Sequence, residues 1–332
     1  MISNTPSHRA CPPRRAGACL RPRALALLLL ALLPGVPAVA ATLDAFVSVL
    51  PLATFVERVG GERVSVHSLV QPGHSPHTYE PTPRQITALA NADLYFRVGM
   101  PFEDAWMKRI AAANPDMPIV DLRDGLRLRP QAAHRHADAH EHEHAQDDGH
   151  DQAPEHDGEA MDAHVWTSPR LVRQMLMTIR EQLSALDPAG AEAYAANQAA
   201  FDAELAALDA ELTRKLAGLE RRGFLVYHPA WGYFADAYSL VQIPIEYQGK
   251  EPGARRLTAL IEQAQASGAR VILVQPQFDQ RAAQQVAKAI DGRVEPVDPL
   301  ATDYAGALHR LADILVGAYG DTDGAAGQAE TR

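Results

Sequence analysis

Residues 187–219, DPAGAEAYAANQAAFDAELAALDAELTRKLAGL, have the pattern of one long helix. Asp187 and Pro188 are typical of a helix start. Large apolar side chains then recur at spacings of three and four, at Phe201, Leu205, Leu208, Leu212, Leu216 and Leu219. At 1.5 Å per residue the helix would be about 48 Å long, enough to run past one domain and reach a second. The stretch therefore predicts a helix that links two lobes.

Short β-branched runs alternate with helical stretches on both sides of this segment. The predicted strands before it lie at 46–50, 63–70, 94–98 and 118–122, and those after it at 224–227, 241–247, 271–274 and 294–297. Such alternation predicts parallel sheets with helices on their faces. We therefore expect an α/β protein with an N-terminal lobe at 41–186, the linking helix at 187–219, a C-terminal lobe at 220–320 and a disordered tail at 321–332.

One helix start in the first lobe has a specific signature. Thr82 suits the N-cap, Pro83 the first helical position, and Gln85 completes a capping box. The loop before this helix contains His77, so the signature also places that histidine just ahead of a defined element.

Residues 131–162, QAAHRHADAHEHEHAQDDGHDQAPEHDGEAMD, interrupt the alternation. They contain seven of the fourteen histidines and carry a net charge of −9 between residues 134 and 162, with almost no large apolar side chain. We interpret them as a disordered or loosely held loop that gathers zinc weakly, although a merely solvated charge run has the same composition. His140–His144 also satisfies the metalloprotease pattern H-E-x-x-H, but that pattern needs a helix and no apolar helical face is present here.

The N-terminus indicates export. An apolar run at residues 24–33 is too short to span a bilayer, follows a basic stretch and precedes Ala38-Val39-Ala40. These features predict a signal peptide over 1–40, cleaved near Ala40–Ala41, and a periplasmic location. Cleavage would remove both cysteines, Cys11 and Cys19, and lower the net charge from −10 to −15. So acidic a chain argues against nucleic-acid binding.

Four residues are candidate metal ligands. His77, His228 and Asp298 each follow a predicted strand, and His164 lies where the ordered pattern resumes after the histidine-rich loop. Ligands of parallel α/β sheets bind beyond the carboxyl ends of the strands. A lone histidine after a strand is more often structural, so the prediction depends on all four sharing that position. Three imidazoles and one carboxylate suit tetrahedral Zn²⁺, and Mn²⁺ less well.

Several segments carry a family resemblance. GHSPHTYEPTP at 73–83 resembles the PHxYEPTP segment of the ZnuA-like solute-binding proteins of zinc and manganese ABC transporters, the bacterial solute-binding protein 9 family. DAHVW at 162–166 is similar to its DPHVW, and YHPAWGYF at 227–234 to its YHxxFGYF. QPQ at 275–277 and DPL at 298–300 match its EPQ and DPL elements. The order is kept, and a histidine-rich loop lies between the first two motifs.

The resemblance implies two (β/α) lobes joined by a long rigid helix, with a metal ion in the cleft between them. By position the family's ligands correspond to His77, His164, His228 and Asp298. Departures from the motifs are Ser75, Ala163 and Gln275, and none of them removes a ligand. Manganese-selective relatives tend to have a carboxylate at the position of His228, so the resemblance favours zinc.

The function that we expect is therefore a monomeric, non-enzymatic zinc receptor that delivers Zn²⁺ to the membrane permease of an ABC importer. A manganese receptor of the same family and a zinc-dependent periplasmic hydrolase are the alternatives. A hydrolase would need an open coordination position and a nearby general base, and four ligands leave no obvious vacancy. A periplasmic zinc buffer without a transporter partner also agrees with the sequence.

Overall fold

The computed structural model describes Met1 and residues 42–131, 161–246 and 252–320. The chain divides into two units, Met1–Ala40 and Ala41–Arg332, and every element below belongs to the second. Apart from Met1, the predicted signal peptide lies outside the described residues. Nearly all of the histidine-rich loop and the tail 321–332 also lie outside the described residues.

The first lobe is built around a four-stranded parallel sheet. Its elements are β1 (Leu43–Val47), α1 (Leu50–Gly60), β2 (Val64–Ser68), α2 (Pro83–Leu89), β3 (Leu94–Arg97), α3 (Pro101–Ala113) and β4 (Ile119–Asp121). The strand order is β2-β1-β3-β4. The predicted capping box at α2 is confirmed, since the Thr82 side chain accepts from the Gln85 backbone and the Gln85 side chain accepts from the Thr82 backbone.

The second lobe repeats this arrangement. Its elements are β5 (Gly223–Val226), α6 (Gly232–Ala237), β6 (Val241–Pro244), α7 (Ala254–Ser267), β7 (Val271–Val274), α8 (Arg281–Ala289), β8 (Arg293–Pro296) and α9 (Tyr304–Tyr319). The strands are again parallel, in the order β6-β5-β7-β8. The predicted fold class, two parallel-sheet α/β lobes with a long helix, is confirmed.

Two helices lie between the sheets in the chain, α4 (Pro169–Leu186) and α5 (Ala191–Ala217). α5 has 27 residues, or about 40 Å. It is shorter than the predicted 187–219 because residues 188–190 form a 3₁₀ turn. The Asp187 carboxylate does not cap the helix, since it accepts hydrogen bonds from Arg63 and Tyr194 instead, both at 2.7 Å. None of the helices in the described residues combines the length and the apolar character that a membrane span requires.

The core has two parts, which lie on opposite faces of the second sheet. The larger part includes the first sheet, the apolar stripe of α5, and α6 and α9. The smaller part lies under α7 and α8. Along β5 and the residue after it, Phe224 and Val226 belong to the larger cluster and Leu225 and Tyr227 to the smaller one. This alternation follows from the pleat of a strand that is buried on both faces.

Candidate metal centre

Polar residues follow all four strands of the second sheet at their carboxyl ends. His228 comes two residues after β5, Glu246 two after β6, and Asp298 two after β8, while Gln275 follows β7 directly. Because all four strands are parallel, these residues occur at one edge of the sheet. His77 lies in the loop between β2 and α2, and His164 lies in the turn that precedes α4.

Three imidazoles converge at this edge. The Nε2 atom of His164 lies 3.3 Å from that of His77 and 3.3 Å from that of His228. The ligand atoms of all three residues are within 4.8 Å of one another, so they could hold one metal ion. Zn–N bonds of 2.0–2.1 Å in a tetrahedron separate neighbouring nitrogens by about 3.3–3.4 Å. The two Nε2–Nε2 distances of 3.3 Å match that separation.

Carboxylates behind two of the rings set their tautomers. The Nδ1 atom of His164 is 2.7 Å from Asp162 Oδ1, and the Nδ1 atom of His228 is hydrogen-bonded to Glu246 Oε1. An ionised carboxylate only accepts hydrogen bonds, so each Nδ1 carries the proton and each Nε2 of a neutral ring carries a lone pair. Two lone pairs held 3.3 Å apart repel each other. A cation bound between them attracts both.

Burial disfavours the charged form of two of the imidazoles, His77 and His228. His228 is 5% exposed. Burial, and then repulsion from charge on His228 and His164, lowers the pKa of His77 to about 2. Burial also lowers the pKa of His228, although the hydrogen bond to Glu246 acts in the opposite direction. The neutral state is the one that coordinates metal.

Apolar and polar walls from both lobes enclose the histidines. The Phe278 ring stacks on the His228 ring with 5.2 Å between centroids. Trp166 Nε1 donates to the Pro299 carbonyl at 2.8 Å and so joins the turn of His164 to the segment after β8. The three histidines, Trp166 and Phe278 line one cavity between these walls.

The fourth predicted residue, Asp298, lies outside the group of mutually close ligand atoms. Its Oδ1 atom accepts hydrogen bonds from Gln277 Nε2 at 3.0 Å and from the Leu300 backbone at 2.9 Å. Gln277 and Leu300 both line the cavity. The structure therefore brings three of the four predicted residues into contact and holds the fourth beside them.

Sequence reasoning missed the roles of Glu246 and Asp162. Both are buried, at 3% exposure each. Glu246 could have been noticed as an acidic residue near the end of the predicted strand 241–247. Asp162 was noticed only as a letter of the DAHVW motif. Its carboxylate accepts from the backbone of His164 as well as from the ring, which fixes the whole residue.

Curated relatives bind either of two metals. The chain is 29% identical over 252 residues to the zinc-binding protein AdcA of Streptococcus pyogenes serotype M6, a match covering 75% of this chain and 49% of AdcA. It is 27% identical over 205 residues to the manganese-binding lipoprotein MntA of Halalkalibacterium halodurans, covering 61% and 60%. The chain thus spans about half the length of AdcA.

A solved structure and a family profile agree on the type of protein. A crystal structure of ZnuA superposes with a TM-score of 0.76 at 36% identity, covering 84% of this chain and all of that chain. The profile of the family described as zinc-uptake complex component A, periplasmic, matches residues 46–318. Together with the fold and the cluster of histidines, this match shows that the chain belongs to the ZnuA family of metal-binding solute receptors.

Proposed function

We propose that this protein is a periplasmic zinc receptor that captures Zn²⁺ and delivers it to the membrane permease of an ABC importer. The observation that carries the proposal is the convergence of three imidazole Nε2 atoms, two of them 3.3 Å from the third. Three nitrogen donors at that spacing suit zinc, whereas manganese prefers carboxylate and water oxygens. Zn²⁺ is the cargo in this proposal and not a resident cofactor.

The proposed ligands are His77, His164, His228 and Asp298. The two carboxylates Asp162 and Glu246 orient the rings of His164 and His228 and increase their basicity. His77 lies on a loop, where its backbone N–H donates to the Ser75 hydroxyl at 3.3 Å. The second lobe supplies two of the four ligands, so zinc would tie the lobes together.

The proposal includes no enzymatic activity. Hydrolysis at zinc needs a coordination site for substrate and a nearby general base. In the proposed set, three imidazoles and Asp298 fill the four positions of a tetrahedral ion, so no position is left for a substrate. Asp162 and Glu246 engage the Nδ1 atoms of the histidines, on the far side from the metal-binding nitrogens, and so do not act as a base at the ion.

Export and domain organisation complete the proposal. Residues 1–40 are proposed as the cleaved signal peptide, 41–186 and 220–320 as the two lobes of a monomer, and 187–219 as their linker. N-terminal sequencing of the exported protein is expected to begin at Ala41. The continuous core shared by the first lobe, α5, α6 and α9 supports small adjustments of the lobes on zinc binding rather than wide closure. A difference of several ångströms between the apo and zinc-bound radii in solution scattering would contradict that.

The decisive experiment is zinc titration of the exported protein against a competing chelator, with alanine substituted at each proposed ligand. Each of His77→Ala, His164→Ala and His228→Ala is expected to weaken binding sharply. His67→Ala provides the control, because His67 is an exposed residue of β2. Undiminished binding in His164→Ala would reject the site.

Delivery needs a second test. Cells that lack the gene are expected to grow poorly in zinc-depleted medium and to recover with the wild-type gene but not with His228→Ala. If growth recovers without an increase in the uptake of radioactive zinc, the result would favour a zinc buffer. Rescue by manganese alone would favour a manganese receptor, and His228-dependent hydrolysis by the zinc-loaded protein would favour an enzyme.

A further inference from the structure

Gln277 and Asp298 form a side-chain pair beside the three histidines. Gln277 lies three residues after β7 and Asp298 two residues after β8, and these strands pair in parallel. Gln277 Nε2 donates to Asp298 Oδ1 at 3.0 Å, and the Leu300 backbone N–H donates to the same oxygen at 2.9 Å. Asp298 Oδ1 therefore accepts hydrogen bonds from two donors, the Gln277 side chain and the Leu300 backbone.

The other oxygen of the Asp298 carboxylate, Oδ2, has neither of these donors. In the described parts of the chain, neither a hydrogen bond nor an ion pair engages Asp298 Oδ2. Bidentate coordination would need both oxygens on one ion, and Oδ1 would then have to give up its hydrogen bonds. A lost hydrogen bond to a charged group is costly in a partly buried place.

The segment that carries Gln277 is itself fixed to the site. Gln275 Nε2 donates to the His228 carbonyl at 3.0 Å, and Gln275 is 2% exposed. The Phe278 ring stacks on His228. Residues 275–278 therefore position His228 and Asp298 together, and Gln277 has little freedom to follow a carboxylate that rotates.

We propose that Gln277 is a specificity-determining positioning residue, which limits Asp298 to one donor oxygen and so favours four-coordinate zinc over ions that take five or more donors. The inference rests on the proposed zinc site. Three imidazole nitrogens and one oxygen complete a tetrahedron. Manganese, which prefers oxygen ligands, gains from a second carboxylate oxygen that Gln277 withholds.

Two variants test the inference without touching a ligand. Gln277→Leu keeps the size of the side chain and removes the donor, and Gln277→Asn keeps the amide but shortens its reach by one methylene. Gln285→Leu is the matched control, because Gln285 is an exposed glutamine on α8. Circular dichroism and thermal melting establish that each variant is folded.

The readouts are cobalt(II) absorption and competition between zinc and manganese. Four-coordinate cobalt absorbs visible light much more strongly than five- or six-coordinate cobalt, so the spectrum reports the number of donors. We expect an intense four-coordinate spectrum in the wild type and in Gln285→Leu. Both Gln277 variants should lose intensity, and their preference for zinc over manganese should fall by roughly tenfold.

Different results would contradict the proposed zinc site and the proposed role of Gln277. If the wild type binds cobalt and zinc and His228→Ala does not, the zinc site stands. A wild-type spectrum and zinc preference in both Gln277 variants would then overturn the role of Gln277 alone. Equal binding of zinc in wild type and His228→Ala would overturn the proposed site, and this inference with it.

Discussion

Replacing Glu246 tests whether the buried carboxylate behind His228 contributes to zinc affinity. Glu246 is 3% exposed, and its Oε1 atom is hydrogen-bonded to His228 Nδ1. Solvent therefore screens the interaction very little. Glu246→Gln preserves the shape and an acceptor oxygen but removes the charge. Glu246→Leu removes the acceptor as well.

The size of each effect follows from the hydrogen bond that is lost. A hydrogen bond to a charged group contributes about 1.5–3 kcal/mol and a neutral one about 1 kcal/mol. Glu246→Gln should therefore weaken zinc binding by about 1.4 kcal/mol, or about tenfold. In Glu246→Leu the ring can move its proton to Nε2, which eliminates the lone pair that binds zinc. We expect a loss of about a hundredfold there, at the upper end for residues that support metal ligands.

The assay is competition for zinc against a chelator of known affinity, at pH 7.5 and fixed salt. Glu262→Gln is the control, because Glu262 is an exposed glutamate on α7 of the same lobe. The expected order of affinity is wild type and Glu262→Gln, then Glu246→Gln, then Glu246→Leu. Equal affinity in wild type and Glu246→Leu would refute the assignment of the tautomer and of the supporting role.

Three further predictions concern stability. Zinc at a free concentration a thousand times its dissociation constant should raise the free energy of unfolding by about 4 kcal/mol. Urea denaturation measures this increase, and adding a chelator should abolish it. Leu212→Ala should lower the free energy of unfolding by about 2–5 kcal/mol, because Leu212 is fully buried on α5. The control is Leu186→Ala, at a partly exposed position at the end of α4. It should change the free energy of unfolding by less than about 0.5 kcal/mol. Burial raises the pKa of Glu103, although its hydrogen bonds with Ser48, Tyr95 and Met100 oppose the shift. The folded state therefore binds the proton more tightly than the unfolded state, and this carboxyl lowers the stability as pH rises from about 4.5. Between pH 4.5 and pH 7.5, the free energy of unfolding measured by urea denaturation should fall less in Glu103→Gln than in the wild type. An identical fall in both proteins would contradict this prediction.

Local patterns were sufficient for the elements of this fold. The capping box at Thr82 and the stripe from Phe201 to Leu216 are decided by residues within one or two turns of each other. Burial of strands on both faces produces the continuous apolar runs that predicted the sheets. The predicted bounds differ from the structure at residues 46–50, where β1 is Leu43–Val47 and α1 begins at Leu50, and at residues 187–190, which precede α5. The Asp187 carboxylate does not cap α5, because it accepts hydrogen bonds from the distant Arg63 and from Tyr194.

For the candidate site, the sequence predicts the three histidines and their order along the chain. The arrangement of their side chains follows from the tertiary structure alone. The 3.3 Å spacing of the imidazoles joins residues 64 and 87 positions apart. The Glu246–His228 pair and the Gln277–Asp298 pair depend on which strands are neighbours in the second sheet. Such contacts leave no periodicity in the sequence, because hydrogen bonding acts over about 3 Å in space whatever the separation along the chain.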